Sequence, residues 1–62
     1  MIGAKDGFDI LHNNVPRTFR DRKVTAYEAA RFAKEQHPGD LIEIVDRSTG
    51  QRVLMLADGR TG

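Results

Sequence analysis

Cysteine and tryptophan are absent from this 62-residue chain, proline occurs twice and serine once. Without cysteine there is no disulfide framework and no thiolate metal site. The lone serine, Ser48, stands in a turn-like Arg-Ser-Thr-Gly stretch, so no Ser-His-Asp arrangement can be argued. Long apolar runs are missing too. The longest, residues 53–57, falls far short of the roughly 20 residues of a membrane span. The first seven residues lack the apolar core of a signal peptide, and the expected compartment is the cytoplasm. Nor is there an excess of charge of one sign. Charged residues make up 31% of the chain but leave a formal net of only +1, whereas nucleic-acid binders usually show a clear basic surplus.

The chemistry of sites is equally sparse. Asp40, Glu43 and Asp46 occupy one short segment, but strand alternation puts Asp40 and Asp46 on one face and Glu43 on the other. That is no carboxylate pair aimed at one bond. Asp58-Gly59-Arg60-Thr61-Gly62 has glycines but no following helix to bind phosphate. His12 and His37 stand far apart in sequence with no metal-ligand spacing. No catalytic residue, metal or cofactor is therefore expected.

A chain this short buries only about 60% of the surface its unfolded form exposes. Small domains offset that with disulfides, a metal or oligomerisation, and here oligomerisation is the expected route.

What is present reads as one α+β domain over residues 8–60, behind a flexible tail at residues 1–7. Phe8-Asp9-Ile10-Leu11-His12 alternates like a strand, and Asn13-Asn14 is a turn signal. Val15-Pro16-Arg17-Thr18-Phe19-Arg20 reads as extended chain, either an edge strand or an extended arm, because Pro16 cannot donate to a ladder. Thr25-Ala26-Tyr27-Glu28 fits a capping box, with Val24 before it, and predicts a helix over residues 26–36. Ala26, Ala29, Ala30 and Ala33 give that helix a narrow stripe suited to lying close on a sheet. His37-Pro38-Gly39 ends it. Residues 40–46 and 51–57 form a hairpin around Arg47-Ser48-Thr49-Gly50, and residues 60–62 are a tail. The expected fold is a single helix packed on a three- to four-stranded, mainly antiparallel sheet in the order β-β-α-β-β.

The hairpin register decides the two sheet faces. With a four-residue loop, Ile42 and Ile44 share a face with Val53 and Met55. With three residues and a bulge at Gly50, they share it with Leu54 and Leu56. Either way one face is apolar and receives the helix. Under the first register the other face carries Leu41, Val45, Leu54 and Leu56. It is covered in part by the N-terminal strands or the tails, is a candidate contact surface for an unidentified protein or a second copy, or is ordinary exposed apolar surface. The alternative surface is the basic segment Arg17, Phe19, Arg20, Arg22 and Lys23, where cations around an aromatic suit weak nucleic-acid contact. Phe19 has a second reading, as a core residue beneath the helix, with Arg20 and Arg22 paired to Asp9, Asp21 or Glu28.

The run Lys23-Val24-Thr25-Ala26-Tyr27-Glu28-Ala29-Ala30-Arg31-Phe32-Ala33, with Gly39 and a hairpin closing on Asp58-Gly59, resembles small bacterial families of unknown function with a β-β-α-β-β plan. The Ala-rich helix followed by a hairpin is also similar to some small phage-encoded anti-CRISPR proteins, which bind an effector complex. Both resemblances imply a non-enzymatic binder. The function expected is thus a protein-interaction module, acting as a homodimer or with another protein.

Overall fold

The computed structural model describes residues 6–62. Four strands and one helix follow one another as β1 (Phe8–His12), β2 (Val15–Arg20), α1 (Lys23–Gln36), β3 (Ile42–Asp46) and β4 (Arg52–Leu54). The strands form one sheet in the order β2-β1-β3-β4, and every neighbouring pair is antiparallel. The α+β expectation is met, and the sheet has four strands.

Local chemistry accounts for the connections. Asn13 and Asn14 both take left-handed φ values, 55° and 70°, which asparagine tolerates best among residues with a Cβ. That two-residue turn reverses β1 into β2. In the second hairpin Ile44 lies opposite Val53, which fixes the loop at residues 47–50, the four-residue alternative. Gly50 closes it at φ 77°, its N–H bonded to the Asp46 carbonyl.

Three expectations at element ends need correction. The helix opens at Lys23, because Arg22 is the N-cap and makes no side-chain capping bond. Thr25 sits inside the first turn, and its hydroxyl donates back to the Arg22 carbonyl at 3.1 Å. A threonine hydroxyl can cap a helix or bond to the carbonyl of the preceding turn, and the same local sequence permits both. The hairpin strands are shorter than expected: β3 begins at Ile42 instead of Asp40, and β4 runs only from Arg52 to Leu54, since the chain turns at residues 57–59 with Gly59 at φ 88°. The expected C-terminal tail instead folds back: Leu54 and Gly62 exchange backbone hydrogen bonds, and Met55 bridges Thr61.

The expected N-terminal tail lies outside the described residues at positions 1–5. Gly7 is buried and accepts a hydrogen bond from the Arg47 N–H.

Alternation then sorts the side chains. Ile10, Ile42, Ile44 and Met55 point under the helix and are at most 3% exposed, packed against Ala26 and Ala30 at 0%. Phe8, Tyr27, Ala29, Ala33 and Val53 close the sides of this core. The alanine stripe therefore works as its composition predicts: small side chains let the helix sit close on the sheet. No helix among the described residues is long and apolar enough to cross a membrane.

Candidate functional site

Three surfaces could carry function, and the strand order determines what each contains. The first is the sheet face opposite the helix. The pairings align Phe19, Asp9, Val45 and Arg52 in one row, and Pro16, Leu11, Glu43 and Leu54 in the next. Leu41 and Leu56 continue the hairpin register beyond Glu43 and Leu54. The four residues expected to share a surface, Leu41, Val45, Leu54 and Leu56, are thus brought to one face. Leu41 and Leu56 are each 38% exposed, Val45 and Leu54 are half-buried, and Leu11 beside them is buried.

Charges are set among these apolar groups as ion pairs. Arg47 holds Asp9 through two hydrogen bonds of 2.8 and 2.9 Å. Those bonds push the Arg47 guanidinium's pKa above its usual value. Arg52 reaches Glu43 at 2.8 Å and the Asn14 amide oxygen at 3.2 Å. The face is therefore a mosaic in which each of these acids already has its base.

The second surface is the basic segment. Phe19 lies opposite Asp9, so its ring is on the face away from the helix and not beneath it, contrary to the core reading. One side of the ring carries the Arg47 guanidinium, 4.6 Å from the centroid, and a side chain at Gly7 would collide with the ring. The expected pairings of Arg20 and Arg22 are not made among the described residues: Arg20 bonds the Phe19 carbonyl, and Asp9 goes to Arg47. Arg17 sits at the register shift of β2, Arg22 caps the helix, and Lys23 lies 5.6 Å from the centre of the Tyr27 ring. The structure scatters these cations over an edge, a cap and a helix side.

The third surface was not visible in the sequence. His12 ends β1, His37 is the C-cap of α1, and Asp40 precedes β3. The β1–β3 pairing brings these three positions to one end of the molecule. His12 Nε2 lies 2.6 Å from Asp40 Oδ2, and His37 Nδ1 lies 3.9 Å from the same oxygen. The two imidazole rings are 5.0 Å apart. The hydrogen bond with His12 is the main influence holding the Asp40 carboxyl below its usual range; partial burial opposes it, and the His12 charge assists. His37 and Asp40, three residues apart, were the only local hint.

Comparisons with protein-family models, curated proteins and solved structures return no match. Function must therefore be argued from these surfaces alone.

Proposed function

We propose that the chain is a non-enzymatic interaction module that pairs with a second copy of itself through the open face of the sheet. The observation that supports this is the gathering of Leu41, Val45, Leu54 and Leu56 on a face the helix leaves uncovered. Leaving apolar area in water costs roughly 25 cal/mol per Å², a considerable penalty for a domain with so small a core. A second copy suits the charges, because Asp9 with Arg47 and Glu43 with Arg52 are already neutralised within the face. Two such faces meet without uncompensated like charges.

The size of the face sets the strength. Four strands at about 4.8 Å spacing and five residues at about 3.4 Å span roughly 320 Å². Two of them fall below the roughly 1,200–2,000 Å² of a standard stable interface, so the pairing is transient. Sedimentation velocity over a range of concentrations tests it. The wild-type chain is expected to shift toward dimer mass as concentration rises. A Leu41→Glu/Leu56→Glu variant is expected to stay monomeric with an unchanged circular dichroism spectrum. Monomer mass for the wild type up to about 1 mM, where binding free energy is only about −4 kcal/mol, would end this reading.

Nucleic-acid binding through Arg17, Arg20, Arg22 and Lys23 has less support. Phe19, its one stacking side chain, already carries Arg47 on its ring.

A further inference from the structure

The cluster of His12, His37 and Asp40 plays no part in the sheet-face pairing, and its geometry calls for its own account. Each residue offers one ligand atom, and the three atoms all lie within 4.8 Å of one another. They come from two parts of the chain, His12 from the end of β1 and His37 with Asp40 from the connection between α1 and β3, and the backbone fixes each. His12 is held by pairing with Ile42 across β1 and β3. The His37 N–H donates to the Ala33 carbonyl at the end of the helix. The Asp40 N–H donates to the His37 carbonyl, while the Asp40 carbonyl accepts from Lys34 Nζ at 2.7 Å.

The hydrogen bond between His12 and Asp40 explains why those two meet, but it does not explain His37. That side chain is 55% exposed, yet it brings Nδ1 to 3.9 Å from the Asp40 oxygen. Around a tetrahedral zinc ion, with bonds of about 2.0–2.2 Å to nitrogen and oxygen, ligand atoms sit roughly 3.4 Å apart. His37 would close by about half an ångström, and His12 would draw back from Asp40 by somewhat less than one. The two imidazole nitrogens, within 4.8 Å of each other, would have to close by up to about 1.4 Å. The negative end of the helix dipole lies here and favours a cation; the Lys34 ammonium opposes it.

We propose that His12 Nε2, His37 Nδ1 and Asp40 Oδ2 form a binding site for a divalent first-row transition ion, zinc in the first instance. Two imidazoles and one carboxylate suit that class of ion, whereas magnesium and calcium prefer all-oxygen shells. Zinc takes the place of the hydrogen bond between His12 Nε2 and Asp40 Oδ2, the proton of that bond passing to solvent, and a solvent molecule completes the fourth position. Bound there, the ion ties the helix C-terminus to the ends of β1 and β3. It thereby supplies the metal brace that small domains without disulfides use.

The test titrates the untagged 62-residue chain with zinc chloride, followed by calorimetry and by the imidazole resonances in NMR. Cobalt(II) chloride serves as a visible-absorption probe. One-to-one binding is expected, with both histidine rings shifting together, a raised melting temperature and no competition from magnesium. His37→Ala leaves the His12–Asp40 hydrogen bond intact and is expected to keep the fold. It should weaken zinc binding by more than about tenfold, since even outer-shell partners of a metal are worth 10–100-fold. Asp40→Asn should weaken it similarly. A dissociation constant weaker than about 1 mM would overturn the proposal. So would His37→Ala binding as tightly as the wild type, which would put the ion elsewhere.

Discussion

The two faces of the sheet are built from the same strands, and neighbouring residues on those strands meet opposite fates. Ile44 is 1% exposed beneath the helix, whereas Val45, the next residue, looks out from the other face and is half-buried. Across the sheet, Ile10, Ile42 and Met55 are buried against alanines, while Leu41 and Leu56 each remain 38% exposed. Composition does not separate the faces, since both carry branched aliphatic residues. Polar neighbours do. The helix side is free of charge at its centre, and the open side interleaves its apolar groups with the pairs Asp9–Arg47 and Glu43–Arg52. A buried face excludes charge; here the face that meets water holds its charges in matched pairs.

The largest effect is expected from alanine substitution of that adjacent pair. Ile44→Ala should cost about 2–5 kcal/mol, because the transferred methyl groups and the cavity left behind both count. Val45→Ala should cost no more than about 1 kcal/mol in dilute solution, since its side chain is only partly buried and no helix packs over it. Urea denaturation of both variants measures the contrast. Equal losses would mean that the open face is covered in the folded state, and repeating the experiment at high concentration would then show whether a second copy covers it.

Part of this contrast was legible in the sequence. The bounds of β1 and β2 coincide with the expected segments, and alternation under the four-residue loop assigned Ile42, Ile44, Val53 and Met55 to one face. What local pattern could not supply was the strand order. Placing β1 between β2 and β3 is a long-range choice. It moves Asp9 next to Arg47 and His12 next to Asp40, separations of 38 and 28 residues that no spacing rule connects. The capping box failed for a different reason. Arg22 takes an extended conformation, φ −122° and ψ 144°, and starts the helix before Thr25 is reached.

A middle-sized effect should come from Gly7, which lies against the Phe19 ring. This residue has φ 125°, and a Cβ there would collide with the Phe19 ring. Gly7→Ala is expected to cost about 1–3 kcal/mol by adding strain of a kind only glycine escapes. Combining it with Phe19→Leu separates the two sources. If the clash dominates, the double variant recovers most of the loss relative to Phe19→Leu alone. If the backbone conformation dominates, the two losses add. Thermal unfolding of the four proteins in the cycle decides between them.

The smallest effect acts on the helix whose presence makes the faces differ. Its first turn contains no acidic residue, and a cation, Arg22, occupies the N-cap without a side-chain bond to the exposed N–H groups. Both features oppose the positive end of the helix dipole. Arg22→Asp should therefore stabilise the protein by about 0.5–1.5 kcal/mol, by supplying a capping oxygen and removing a charge of the wrong sign. Thr25→Ala, at the position where the sequence places the cap, should change stability by no more than about 0.5 kcal/mol, because its hydroxyl only bonds back to an exposed carbonyl. Chemical denaturation ranks the two. If Thr25→Ala proved the costlier, the helix would begin at Ala26 after all, and the turn over Lys23 and Val24 would have to unwind. Val24, 69% exposed, would lose little by that, so the rank order rests on the capping chemistry alone.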